Sequence, residues 1–189
     1  KFKTINNVKI VEFKITGNFV SGITGDGNLY QDFLKSNDFD IITNFAAQQW
    51  ATDLMLPILN EVKAKKVFVP TGFSALNLPT FQGYFENMKT WMKEYDLNVF
   101  LSSNYRDIDF AKINNIESVE IIPNGANEKE FADVETIDIR TLIGVSPDTK
   151  LILTVGSHTG YKGHAEAIKI FNLAKIPNSV LLIIGNSTT

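Results

Sequence analysis

The stretch Val155-Gly156-Ser157-His158-Thr159-Gly160-Tyr161-Lys162-Gly163-His164 combines residue types and spacing that suit phosphate binding. It joins an apolar run, Leu151 to Val155, to a segment of helical spacing that begins near Gly163. A turn so placed lies at the carboxyl end of a parallel strand, the edge at which open α/β sheets bind ligands. Gly156 and Gly160 let the backbone turn sharply and approach a ligand with no Cβ in the way. The helix that follows directs unsatisfied N–H groups and the positive end of its dipole at the same place. Lys162 adds a full positive charge where a diphosphate would sit. The same residues would also make a plain surface turn with a solvated lysine.

Two other phosphate motifs fail. A Walker loop needs Gly, then Lys, then Ser or Thr, whereas Lys162 lies between Tyr161 and Gly163. At Gly25-Asp26-Gly27 the dinucleotide fingerprint breaks, because Tyr30 stands where its third glycine belongs. Composition narrows the field further. The 189 residues carry 18 Lys plus Arg against 21 Asp plus Glu, a net charge of -3, which gives no reason to expect a nucleic-acid partner. The absence of cysteine rules out disulfides and thiolate zinc sites, and two histidines make no histidine-rich metal centre. No apolar run is long enough for a bilayer span, and Lys1 to Thr4 lacks the apolar stretch of a signal peptide. A soluble, cytoplasmic protein is expected.

Alternating strand-like and helix-like segments must position the turn. Strands are expected at Val8 to Ile15, Asp40 to Thr43, Lys66 to Val69, Leu97 to Ser102, Val119 to Ile122, Leu151 to Val155 and Val180 to Ile184. Between them, helical spacing follows Gly25-Asp26-Gly27-Asn28, through Leu29, Tyr30, Phe33 and Leu34. A second helix is expected from Asn44, with Pro57 breaking or kinking it. The clearest runs from Pro79 to Tyr95, where Phe81, Tyr84, Phe85, Met88, Trp91, Met92 and Tyr95 line one face and read as core. Asn104 suits the cap of a short helix carrying Ile108, Ala111 and Ile113. This order predicts α/β architecture, a parallel sheet with helices on both faces. The polar stretch from Gly125 to Lys150 contains a short helix ending near Gly144 and marks a boundary. Beyond it lies one βαβ unit, too small to be a domain by itself.

The strand ending in Ile122-Pro123-Asn124-Gly125, a polar connection, and then Val155-Gly156 with Lys162-Gly163 together resemble glycosyltransferase family 4, of the GT-B fold. The step from Gly125 to Gly156 is 31 residues. Asn98 to Tyr105, Asp40-Ile41-Ile42 and Val67-Phe68-Val69-Pro70 fall where that family has its preceding strands, so the resemblance covers about Gly25 to Gly185. It implies two Rossmann-like parallel-sheet domains, both incomplete here. Residues 1–125 would belong to the acceptor-side domain, and residues 126–189 to the linker and first βαβ unit of the nucleotide-sugar domain. The chain thus reads as an excerpt, expected to be inactive by itself, with the family's first glycine-rich loop before Lys1 and its paired glutamates after Thr189.

The resemblance implies a retaining, hexosyltransferase-type enzyme that moves a sugar from a nucleotide-diphosphate donor to a glycan, lipid-linked or protein acceptor. It implies no metal and no cofactor. Donor contacts would come from Gly156, Ser157, Lys162 and Gly163, with Lys162 at the family's lysine position. Ser157 stands where the family has an arginine, so it brings neither formal charge nor a bidentate fork. Thr71, in Pro70-Thr71-Gly72-Phe73, stands at the family's histidine position and is no general base near neutral pH. The catalytic group therefore stays unassigned. His158 is a candidate for phosphate or base contact, or simply exposed; His164 reads as solvated or packed. Some members of the family lie on the inner membrane face, but Lys63, Lys65 and Lys66 make too small a cluster to claim it. Two other readings are a non-catalytic binding or scaffold protein on this fold, and a nucleotide-sugar epimerase.

Overall fold

The computed structural model describes residues 2–132 and 135–186. The chain forms two compact units, Lys1–Ala126 and Asn127–Thr189. In the first unit, two antiparallel hairpins come first: β1 (Phe2–Ile5) with β2 (Val8–Val11), and β3 (Ile15–Asn18) with β4 (Gly22–Gly25). The run from Val8 to Ile15 is therefore not one strand. It divides because the Phe13 ring packs edge-on to Tyr30 and Phe33 of helix α1 (Gly27–Ser36), and alternation alone does not show where a strand changes partner.

A four-stranded parallel sheet follows, in the spatial order β5 (Ile41–Phe45), β6 (Lys65–Val69), β7 (Leu97–Phe100), β8 (Val119–Ile121). The connections carry α2 (Trp50–Met55) and a 3-10 stretch Leu56–Glu61, then α3 (Gln82–Glu94), then α4 (Arg106–Ile113). Strand order steps one way across the sheet, so right-handed crossovers all fall on the same face. That face bears Phe68, Asn98 and Phe100, which are fully buried among Met55, Leu59, Phe73, Phe85, Met88 and Met92. On the opposite face Ile41 and Phe45 are each 62% exposed. Helices α1 to α4 all contribute to the core on the Phe68 face, while on the opposite face the inner-strand residues Val69 and Val99 are buried as well.

Local corrections have local causes. Asn44 belongs to β5, not to a helix; its Oδ1 accepts the Tyr95 hydroxyl at 2.8 Å, a partner 51 residues away. Pro57 breaks the helix as expected: α2 stops at Met55, and Pro57 stands second in the 3-10 stretch Leu56–Glu61. Pro79–Phe81 is a 3-10 turn leading into α3, whose buried stripe is Tyr84, Phe85, Met88 and Met92. Tyr105, not Asn104, precedes the first residue of α4, while the Asn104 amide donates to Ser102 Oγ at 3.2 Å.

One buried carboxyl group ties the second hairpin, β3–β4, to this helical layer. Asp53 in α2 is 1% exposed; its Oδ2 accepts the Phe19 amide at 2.8 Å, and its Oδ1 accepts the Tyr84 hydroxyl at 2.8 Å. The Phe19 ring rests against Tyr84 and Trp91. Desolvation dominates at Asp53 and raises its pKa above 3.8, although the hydrogen bonds from Phe19 and Tyr84 oppose it. Burial likewise pushes the Tyr84 and Tyr95 hydroxyls well above their ordinary range, and Tyr30 up to about 12.

The second unit holds α5 (Lys129–Ala132), α6 (Ile139–Ile143), then β9 (Lys150–Val155), α7 (His164–Ala174) and β10 (Ser179–Ile184). Strands β9 and β10 pair in parallel from Ser179 with Lys150 to Ile184 with Val155. Asp138 caps α6 by accepting the Arg140 amide, and Gly144 ends it with φ 70°. Among the described residues, no helix is long and apolar enough to cross a membrane.

Protonation of Asp53 gives a prediction of definite sign. A raised native pKa means that the folded state holds the proton where the unfolded state has lost it. Its contribution to stability therefore falls as pH rises from about 3.8 through the native value. Urea titrations at stepped pH should show this falling component in the wild type and lack it in Asp53→Asn.

Candidate functional site

The loops at the carboxyl ends of β5 and β6 hold an unusual share of left-handed backbone. Ala46 (φ 70°), Gln48 (φ 62°), Thr71 (φ 59°), Gly72 (φ 106°) and Phe73 (φ 45°) all lie there. Non-glycine residues in that region cost on the order of 1–3 kcal/mol each and persist only where surrounding contacts hold them. Here the holding group is Phe73. Its ring is 1% exposed and packs against Phe68, Phe85 and Phe110 at 6.4, 5.0 and 5.3 Å between centroids. The loop after β5 is tied to the loop after β6, since Ala46 N–H donates to Val69 O and Ala47 N–H to Pro70 O.

Thr71 emerges from this loop exposed, on the wall of a cavity of about 160 Å³ with Gly72, Leu101, Ser102, Tyr105 and Asp107. Gly72 is required on two counts. Its φ of +106° disfavours a side chain, and a Cβ there would meet the Tyr105 ring at 2.7 Å. Arg106 donates to the Tyr105 hydroxyl at 2.8 Å and to Ser74 O at 3.3 Å. Ser102, Tyr105, Arg106 and Asp107 were not legible as site residues, because only the fold carries the β7 loop to the β6 loop.

Gly156, Ser157, Lys162 and Gly163 lie in the second unit, on the turn between β9 and α7. The turn extends the strand pairing: Gly156 N–H donates to Ile184 O at 2.9 Å, and His158 N–H to Asn186 O at 3.1 Å. Gly163, at φ 74°, reverses the chain immediately before α7, so the helix begins at His164 and not at Gly163. The α7 N–H groups at His164, Ala165 and Glu166 precede the first helical bond, from Ala167 N–H to Gly163 O. Lys162 is exposed and lays its stem over Gly156, where a Cβ would approach Lys162 Cβ to 3.2 Å. Its ammonium has no protein partner among the described residues. Ser157 is half-buried, and its carbonyl accepts the Thr159 amide at 2.9 Å.

His164 proves to be a fastener of this turn. Its Nε2 lies 3.0 Å from Gly156 O, and a carbonyl only accepts, so Nε2 carries a proton while Nδ1 is buried without a partner. The His158 ring is exposed and lies 5.0 Å from that of His164. Glu166 sets a carboxyl group in the same first turn of α7, which opposes anion binding there. Gly125 meets no side-chain constraint: a Cβ on it would stand in open space. The turn can therefore receive a phosphate through free amides and one cation. No protein-family model matches this chain, and no curated protein matches it significantly.

Two substitutions probe these loops. In Gly185→Ala the new Cβ would lie 1.8 Å from Gly156 O, so the turn must shift, and stability should fall by about 1–3 kcal/mol. Amide shifts confined to residues 156–164 and a lower urea midpoint are the expected readings. Phe73→Ala should cost about 3–5 kcal/mol in the same titration, with enhanced amide exchange across residues 70–76.

Proposed function

We propose that this chain is part of a retaining glycosyltransferase of the GT-B type, similar to family 4, that uses a nucleotide-diphosphate-sugar donor. The observation that carries the reading is the turn after β9. There, Lys162 supplies a cation with no protein partner among the described residues, on the turn that leads into the unpaired first amides of α7. When a glycosyl bond to a diphosphate breaks, negative charge grows on the departing phosphate. A cation and amide dipoles already aimed at that position stabilise the transition state more than the ground state. The four-stranded parallel sheet of the first unit, with its functional residues at the carboxyl edge, is the kind of sheet this fold uses. On this reading the enzyme needs no metal, works on the cytoplasmic side and takes a glycan, lipid-linked or protein acceptor.

A non-catalytic nucleotide-sugar-binding protein is the second reading, and Ser157 and Thr71 favour it. Neither supplies the charge or the base that the resemblance puts at those positions, and Glu166 further lowers the potential at the turn. Binding and turnover separate the two. Calorimetric titration with UDP, GDP and ADP should find one that binds, with Lys162→Ala weakening it about tenfold. Equal affinity in wild type and Lys162→Ala would remove Lys162 from the site. A labelled donor consumed only when an acceptor is present would favour transfer over both binding alone and epimerisation.

A further inference from the structure

Asn124 is the one asparagine of the chain that is followed by glycine. The pair stands where the fold has stopped supplying partners. Pairing beyond β8 ends with the Ile122 amide, which donates to Phe100 O at 2.9 Å, and Pro123 has no N–H to continue it. The next backbone–backbone hydrogen bond runs from Glu130 N–H to Asn127 O at 3.0 Å. Pro123, Asn124, Gly125 and Ala126 are all exposed. Neither the Asn124 side chain nor the Gly125 amide has a hydrogen-bond partner among the described residues.

An asparagine carboxamide lies within reach of the amide nitrogen that follows it in the chain, and the two can close an imide ring. The next side chain, and hydrogen bonds that hold the two groups apart, ordinarily prevent this. Both restraints are lacking at Asn124. Gly125 has no side chain and turns freely, and a Cβ built on it would meet nothing within 4 Å. Other positions show the contrast. Asn127 Oδ1 accepts the Lys129 amide at 3.1 Å, and Glu128 follows it. Asn178 is fixed at both ends of its carboxamide: Oδ1 accepts the Thr149 hydroxyl at 3.2 Å, and Nδ2 donates to Asp148 O at 3.0 Å. The Asp26-Gly27 pair is built into the start of α1, where Tyr30 N–H donates to Asp26 O at 3.1 Å.

We propose that Asn124 is a site of spontaneous deamidation, which turns the Asn124-Gly125 bond into an aspartyl or isoaspartyl link. Gly125 N attacks Asn124 Cγ and gives up its proton, while the Cγ–Nδ2 bond breaks and Nδ2 leaves as ammonia. Water then opens the imide. Hydrolysis at Cγ restores the ordinary main chain with an aspartate side chain. Hydrolysis at the Asn124 main-chain carbonyl leaves isoaspartate, in which the main chain runs through Cβ and Cγ. Water enters, ammonia leaves, and nothing is oxidised or reduced. Either product carries a negative charge where the amide was neutral. The isoaspartyl form also lengthens by a methylene the chain that leads to the unit boundary at Ala126. The inference is independent of the glycosyl-transfer reading.

Peptide mapping of the full chain tests it. The protein is held in warm, mildly alkaline buffer, sampled over weeks and cut at its lysines and arginines. Replacement of an amino group by a hydroxyl should appear in the fragment that contains Asn124, and electron-driven fragmentation separates isoaspartate from aspartate. Asn124 should convert before every other asparagine, largely to isoaspartate, at a rate close to that of the free peptide Ile-Pro-Asn-Gly-Ala. Gly125→Ala, which the open space around Gly125 tolerates, should keep the urea midpoint yet lose most of the conversion. Conversion that needed exposure alone would continue in that variant. Should Gly125→Ala lower stability, Asn124→Gln, whose longer arm closes an imide poorly, must leave the fragment at its original mass. An intact Asn124 when the free peptide has converted would overturn the proposal. So would equal conversion at Asn127 or Asn178, a wild-type rate in Gly125→Ala, or a product without isoaspartate.

Discussion

Burial of the Phe73 ring is the constraint on which the first unit turns. Phe73 stands in a left-handed loop that would relax if free, and its ring is held by Phe68 of β6, Phe85 of α3 and Phe110 of α4. One side chain therefore joins a strand, two helices and the loop carrying Thr71 and Gly72. The apolar free energy of a buried aromatic ring, about 1.5–3 kcal/mol, is of the size needed to hold local backbone strain. Strain and packing thus meet at the carboxyl edge of the sheet, where the cavity lies.

The second unit holds its turn by a different device. No large ring plugs it. Close backbone approach does the work: Gly185 passes so near the Gly156 carbonyl that no Cβ fits, and His164 closes the turn from the helix side. The cost is an orphaned His164 Nδ1. Such a turn leaves amides and the Lys162 ammonium free for a ligand, and this freedom is what makes it a candidate phosphate site. Both units place their candidate residues after parallel strands, since the βαβ connection leaves loops at that edge while helices cover a face.

Charge is distributed unevenly between these places. Asp53 and Asp107 are both buried in the first unit, but their surroundings differ. Asp53 accepts from Phe19 and Tyr84 and serves cohesion between distant segments, whereas Asp107, among the described residues, accepts only the amide of its neighbour Ile108. In the second unit Lys162 faces solvent, with Glu166 as a counterweight one turn away.

Periodicity in the sequence by itself determined most elements. The stripe from Phe81 to Tyr95, the apolar runs of β6, β7, β9 and β10, and the glycine-rich strand–turn–helix with Lys162 were all legible, because local spacing encodes burial within one element. Partners distant in the chain were not. The strand character of Asn44 depends on Tyr95, and the split between β2 and β3 on the seating of Phe13 over α1. Packing of α2 to α4 on the Phe68 face follows from strand order. The fastening role of His164 and the cavity of Thr71, Ser102, Tyr105 and Asp107 arise from contacts between separate loops. Spacing along a chain says which side of an element is apolar; only folding in three dimensions decides what that side, or a lone polar group on it, will meet.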